Sequence, residues 1–192
     1  MKVILPVAGK GERMRPYTNN LPKCLLPVGG RTIIDWIVAD TLPLKASETI
    51  FITGYKAEVV DEFLKKRPQW GKTRGEFQLT DALQMMIEKG CKFRTAPVQE
   101  WLDCGLPETL IQTNTWLLQN HFQPTEYNYP SSTIIQPCII GKNVTIENCT
   151  IGPNATIGDN CTLKNVTITD CIMWDNEEII HSHIEGQVIA SC

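Results

Sequence analysis

From Thr133 onward an aliphatic residue returns every five or six positions, at Ile140, Ile146, Ile151, Ile157, Leu163 and Ile168, and glycine often follows it. Between these positions stand small or polar residues such as Val144, Thr145, Ala155 and Thr156. A repeat of this kind is what a parallel β-helix needs, because each short strand then sends one apolar side chain into a narrow interior. Asn and Gly at Gly141, Asn143, Gly152, Asn154, Gly158 and Asn160 suit the tight corners between flat faces. An all-β sandwich fits less well, since its strands would be longer. The step shortens to five at 146 to 151 and again at 163 to 168, which loosens the count and leaves the pattern standing. The repeat runs to Cys192 without a capping signal, so an edge is expected that a second copy could cover, giving a homo-oligomer through the β-helix.

The other classes open to a chain of 192 residues narrow quickly. Eighteen basic residues against 21 acidic ones give a net charge of −3, which offers no basic face for nucleic acid. No apolar run approaches the length of a membrane span, and VILPVA before Gly9, Lys10 and Arg13 is short for a secretory segment, so a cytoplasmic chain is expected. The eight cysteines include no Cys-x-x-Cys pair, and His121, His181 and His183 complete no zinc spacing, which predicts reduced, mostly buried thiols. His181 and His183 share parity on a strand, and a surface face is preferred there over a metal pair.

Before the repeat the pattern is α/β. Residues 2–7 form a short apolar strand followed at once by a glycine-rich turn; 32–41 carry helical spacing at Ile33, Ile34, Ile37 and Val38; 49–53 are β-branched and aromatic; and 57–65 resume a helix. Strand, loop, helix, strand and helix in that order open a doubly wound sheet. A polar stretch at 65–75 interrupts, and helical patterns return at 80–89 and 107–120, the latter opening on Pro107 and Glu108. The expected division is an α/β domain at 1–120, a linker at 121–132 and the β-helix at 133–192.

The chemistry is concentrated in the turn after the first strand, AGKGERMRPYT at 8–18, followed by Leu21, Pro22 and Lys23. A glycine-rich loop behind a buried strand brings backbone N–H groups close to phosphate oxygens, and Lys10, Arg13, Arg15 and Lys23 add positive charge. It is not a Walker A loop, since no Gly-Lys-Ser/Thr closes it, nor a dinucleotide fingerprint, since Met14 stands where the third glycine belongs. On spacing alone a solvated loop remains open as the alternative.

As a string, this segment resembles the N-terminal signature of the sugar-1-phosphate nucleotidyltransferases, Ala-Gly-x-Gly-x-Arg-[Leu/Met]-x-Pro-x-Thr and then Pro-Lys-x-Leu-[Leu/Val]-Pro. Every fixed position is present, with Glu12 where many members carry Thr or Ser. Two further strings, at 75–82 and at 101–108, resemble the family's Gly-Glu-[Phe/Tyr]-x-Leu-Thr-Asp and Trp-x-Asp-x-Gly-[Thr]-Pro segments. The C-terminal repeat resembles the hexapeptide left-handed β-helix that many long members carry. Among subgroups, the strings look most like the glucose-1-phosphate thymidylyltransferases, although uridylyl- and guanylyltransferases share them.

The resemblance implies a Rossmann-like nucleotidyltransferase domain followed by a left-handed parallel β-helix. It implies attack by a sugar-1-phosphate oxygen on the α-phosphorus of a nucleoside triphosphate, dTTP in the subgroup named, giving a nucleotide sugar for cell-surface polysaccharide and releasing pyrophosphate. By the same resemblance the nucleotide-binding residues are Ala8, Gly9, Lys10, Gly11, Glu12 and Arg13; Arg13 and Lys23 are the catalytic pair that handles phosphate charge; and Asp103 is a magnesium (Mg2+) ligand. Read from the residues alone, Arg15 is expected to pair with a surface carboxylate, Asp81 to be a helix cap or solvated carboxylate, and Trp101 to be core.

One departure stands out. The family's Gly-Thr-Ala segment, the Gly-Asp strand end with its first metal ligand, and the Glu-Lys-Pro segment are missing between 65 and 75. The catalytic domain is thus internally truncated, and a two-strand remnant with exposed apolar faces is expected. Two alternatives to nucleotidyl transfer follow: an inactive remnant serving as a nucleotide-binding or assembly module, and a hexapeptide-repeat acyltransferase, which ranks third because no isolated histidine base or loop between coils is evident.

Overall fold

The computed structural model describes residues 2–70, 72–74, 84, 86–90 and 100–191. The α/β part opens with β1 (Lys2–Pro6) and a small antiparallel pair, β2 (Pro27–Val28) and β3 (Arg31–Thr32). Then come α1 (Ile33–Thr41), β4 (Glu48–Ile52), α2 (Ala57–Lys65) and β5 (Lys72–Arg74). The strands β1, β4 and β5 make one parallel sheet in that order, with Leu5 opposite Phe51 and Ile52 opposite Arg74. A third strand therefore stands where the polar stretch at 65–75 predicted only an interruption. A strand at a sheet edge needs no apolar alternation, and Lys-Thr-Arg lacks the signal by which buried strands are recognised.

Thr32 starts α1 through a reciprocal cap: its hydroxyl accepts from the Asp35 N–H at 3.3 Å, and the Asp35 carboxylate accepts from the Thr32 N–H at 3.0 Å. Ile34 and Val38 of α1, Val60 and Leu64 of α2, Leu5 and Phe51 of the sheet, and Val7 just after β1 form one core cluster. The opposite face of the sheet is thinly covered, and Ile4 there is 39% exposed. The expected apolar exposure of a shortened sheet is thus present on one side.

Helix α3 (Pro107–His121) precedes the solenoid. The solenoid has about three turns. One face stacks β7 (Cys138–Ile140), β10 (Ala155–Ile157), β12 (Ile172–Met173) and β14 (Val188–Ile189), all parallel. The other two faces are built from β6 (Thr133–Ile134), β8 (Thr145–Glu147), β9 (Thr150–Ile151) and two long strands, β11 (Thr162–Thr169) and β13 (Glu178–Glu185), that each turn a corner. The turns fall at Asn165 (φ 54°) and His181 (φ 52°), directly along the stack from Asn148 (φ 53°). The shortened steps at 146–151 and 163–168 bracket Asn148 and Asn165, so the slip in the repeat belongs to one corner of the prism.

Asparagine ladders mark the coil length. Asn143 donates from Nδ2 to Asn160 Oδ1 at 3.2 Å across 17 residues, and Asn160 to Asn176 at 3.3 Å across 16. Asn143, Asn154 and Asn160 hold the left-handed conformation expected of corners. Gly141 and Gly158 do not; they lie where coils touch, and a Cβ on Gly141 would sit 2.7 Å from the Gly158 carbonyl carbon. Inside, Ile151, Ala155, Cys161, Leu163, Ile168 and Cys171 are fully buried.

The two parts share a third core cluster. Met14, Leu26 and Val28 from the α/β part meet Leu110 and Leu117 of α3 and Ile172 and Val188 of the solenoid. At its centre Asn114 is completely buried, accepting at Oδ1 from the Gly29 N–H (2.9 Å) and the Thr156 hydroxyl (2.8 Å). Residues 121–132, read from sequence as a linker, also touch the solenoid: Tyr127 and Tyr129 pack on its core, and the Tyr127 hydroxyl accepts from the Ile140 N–H at 3.0 Å.

Candidate functional site

The chain leaves β1 at Pro6, and the Ala8 carbonyl accepts from the Tyr55 N–H at 3.1 Å, which pins the start of the glycine loop to the segment after β4. Gly11 then takes φ 63°, and a Cβ there would come within 2.9 Å of the Thr18 methyl and 3.0 Å of Lys23 Cβ, so only glycine fits. A single 3-10 turn, Glu12–Met14, follows and buries Met14 completely. The Thr18 hydroxyl closes the loop by donating to the Gly11 carbonyl at 2.8 Å. Among the described residues, none of the backbone N–H groups at 9–13 donates to another protein group, while those of Met14 and Arg15 turn back to Gly11 and Glu12. The loop thus offers amides to an external acceptor, as a phosphate-binding turn does.

Distant sequence reaches the same place. A cleft of about 510 Å³ is lined by residues 9–13, Lys23 and Gly105. Beside Gly105, Arg13 Nη2 and the Asp103 carboxylate oxygens all lie within 3.1 Å of the point where a side chain on that glycine would begin, so any larger residue would wedge into them. Asp103 is held by its own turn, accepting at Oδ1 from the Gly105 N–H at 3.0 Å, and by α3, whose Thr113 hydroxyl donates to the Asp103 carbonyl at 2.9 Å. Every expected site residue that lines or borders the cleft, Gly9, Lys10, Gly11, Glu12, Arg13, Lys23 and Asp103, is therefore gathered in one region, with Ala8 at its root.

The electrostatics favour an anion. Among the described residues the ion pairs are Lys2 with Glu48, Lys66 with Glu62, Arg67 with Asp35 and Lys164 with Glu147, which leaves Lys10, Arg13 and Lys23 uncommitted at the cleft. Burial pushes the Cys104 thiol up from its ordinary value, opposed by a hydrogen bond with Thr113 and by the charge of Lys23. It is a neutral neighbour of the cleft rather than a nucleophile. Asp103 and Glu12 each bring one carboxylate to the cleft, and among the described residues no three His, Cys, Asp or Glu side chains gather to hold a metal. That donor set fits a hard ion such as magnesium that takes one or two carboxylates and completes its shell with phosphate oxygens and water, and does not fit an all-protein cage.

Other expectations divide. Trp101 is not core: it is 84% exposed. Residues 100–104 form neither strand nor helix, and the irregular path that brings Asp103 to the cleft leaves the indole two residues earlier on the outside. Arg15 is exposed, but among the described residues it does not make the expected pair with a carboxylate; both His181 and His183 are exposed on β13. Six cysteines, Cys24, Cys104, Cys138, Cys149, Cys161 and Cys171, are free thiols, five of them buried. Asp81, Cys91, the string at 75–82 and most of the helix at 80–89 lie outside the described residues. Sequence reasoning missed Asn114 and Tyr17, since a polar residue within a helix and a variable position in a signature announce no partner. Among the described residues no helix is long and apolar enough to cross a membrane.

Known proteins agree with this layout. Residues 2–73 match the family described as nucleotidyl transferase, and residues 131–170 match the bacterial transferase hexapeptide (six repeats). An α/β part similar to nucleotidyl transferases is thus followed by a β-helix similar to the hexapeptide-repeat transferases. Among its relatives, the bifunctional protein GlmU of Methanocaldococcus jannaschii is 36% identical over 36% of the chain and 17% of its own length. A putative UTP–glucose-1-phosphate uridylyltransferase of the same organism is 26% identical over 53% of the chain and 31% of its own length. The UTP–glucose-1-phosphate uridylyltransferase of Haemophilus ducreyi is 30% identical over 48% and 27%. The chain thus covers less than a third of the length of each of these three relatives.

Proposed function

We propose that the cleft binds the phosphates of a nucleoside triphosphate and that the chain is a sugar-1-phosphate nucleotidyltransferase. A phosphate oxygen of a hexose 1-phosphate attacks the α-phosphorus, the bond from that phosphorus to the β-phosphate oxygen breaks, and pyrophosphate leaves. The nucleotide is a pyrimidine triphosphate, with dTTP first on the sequence strings and UTP second on the names of the relatives. The supporting observation is the convergence of the open amides at 9–13, Arg13, Lys23 and Asp103 on one cleft from segments some ninety residues apart.

The roles follow from charge. The amides of Gly9 and Gly11 approach phosphate oxygens without a side chain in the way. Arg13 offers a planar pair of donors to the departing pyrophosphate, and Lys23, across the cleft, neutralises the phosphates where the two substrates meet. Asp103 would hold magnesium, which when bound offsets the negative charge of the triphosphate. A cytoplasmic location and self-association through the β-helix belong to the same proposal, the first supported by six free cysteines among the described residues.

The test is pyrophosphate release from a panel of triphosphates and hexose 1-phosphates with magnesium. Arg13→Ala is expected to lower turnover about 100-fold or more while leaving the unfolding midpoint in place, and Asp103→Asn to raise the magnesium requirement. A silent panel overturns the enzymatic assignment. A second function, nucleotide binding without transfer, is favoured by a cleft at which, among the described residues, no three metal-ligating side chains gather. Calorimetric binding of a triphosphate with no pyrophosphate released would select it.

A further inference from the structure

The loop that forms the cleft is tied at its far end to the last coil of the solenoid. Ile172 and Trp174 donate their N–H groups to the carbonyls of Gln187 and Ile189, at 3.0 and 2.9 Å, so the last strand, β14, faces inward along the stack through those two carbonyls. In a strand, successive carbonyls point to opposite sides, and the Val188 carbonyl between them is left facing the open edge. Tyr17 fills that edge: its hydroxyl donates to the Val188 carbonyl at 3.1 Å, across 171 residues of sequence, and its ring lies 5.9 Å from that of Trp174. The next residue, Thr18, is buried and makes the hydroxyl bond to Gly11 that closes the cleft loop. A continuous line of contacts therefore runs from the edge of the solenoid through Tyr17 and Thr18 to the glycine on which the loop turns.

We propose that Tyr17 is a positioning residue that couples the order of the last coil to the shape of the cleft loop, so that triphosphate binding and the closure of β14 support one another. This rests on the triphosphate site proposed above and adds a dependence that the site's own residues do not reveal. The β-helix is then part of the binding machinery rather than an appended assembly module, because the edge carbonyl it leaves open is the anchor for the loop. Binding that orders residues 9–18 holds the Tyr17 ring against Trp174, and order in β14 in turn lowers the entropic cost of fixing the loop.

The experiment uses the full chain, its Tyr17→Phe variant and, as control, Tyr129→Phe, which removes a hydroxyl bonded to the Val144 carbonyl at 3.4 Å within the solenoid. Triphosphate affinity with magnesium is measured by calorimetry at a temperature where all three are folded, together with amide hydrogen exchange with and without the nucleotide. Expected are slower exchange on binding at 9–18 and also at 172–189 in the unmodified chain, loss of the distant protection in Tyr17→Phe with affinity weakened about three- to tenfold, and no change in Tyr129→Phe. A purely structural tyrosine would lower the unfolding midpoint and leave affinity in the folded protein untouched. Binding that Tyr17→Phe leaves unchanged, or protection confined to 9–18 in the unmodified chain, overturns the positioning role alone. Absence of any triphosphate binding to the unmodified chain overturns the function proposed above and the positioning role with it.

Discussion

The solenoid and the α/β part obtain order in opposite ways. In the solenoid each coil repeats much the same solution, one buried aliphatic or cysteine per face and an asparagine at most corners, so neighbouring coils satisfy one another's backbone and side-chain amides. In the α/β part no unit repeats. Among the described residues its sheet has three strands, one well-packed face and another on which Ile4 is 39% exposed. The part with the poorer core holds the cleft. Phosphate binding requires amides and cations kept out of internal pairings, and a repeating ladder, which pairs its backbone groups from coil to coil, leaves few available. The chain reconciles the two by packing α3 between them, so that the cleft loop borrows its support from the solenoid.

The largest effect should come from the solenoid core. Leu163→Ala, at a fully buried position, is expected to cost about 2–5 kcal/mol of stability, read from denaturant unfolding. If the third cluster makes one body of the chain, the α/β part unfolds in the same transition; separate transitions would break the comparison. Next is Asn114→Ala, which strands the Gly29 N–H and the Thr156 hydroxyl and should cost about 1–3 kcal/mol, splitting one calorimetric transition into two. A smaller effect concerns buried thiols in the two regions. Burial pushes Cys24 and Cys138 up to about 11 from an ordinary value of 9.0. The folded state keeps those protons after the unfolded chain has lost them, so the stability they lend is intact below pH 9.0 and falls as pH rises towards about 11. Cys138→Ala should lose less stability over that window than the unmodified protein, as urea midpoints at several pH values will show. The smallest effect is expected on the thinly covered sheet face, where Ile4→Thr should change stability by under about 1 kcal/mol; a larger loss would mean that this face is packed after all.

What was legible in the sequence was whatever depends on local chemistry. The six-residue period named the solenoid because a repeat dictates its own neighbours. The corner asparagines were visible because few other side chains accept φ near +55°. The helical spacing of Ile33, Ile34, Ile37 and Val38, Pro107 and the β-branched run at 49–53 carry their structural preference within a few residues. The glycine loop at 8–13 and its cations were legible for the same reason, since the turn at Gly11 is set by residues no farther than Lys23. The lack of the family's middle strings after residue 65 was legible too, but not the strand that forms at Lys72–Arg74. Only the tertiary structure revealed a charged edge strand at Lys72–Arg74, turned Trp101 outward, brought Asp103 beside Arg13, and joined Tyr17 to Val188 and Asn114 to both halves. Those outcomes depend on pairing between groups far apart in the chain. An edge strand, a buried amide or a capped carbonyl becomes favourable only when a specific distant partner arrives, and no local preference encodes which partner that is.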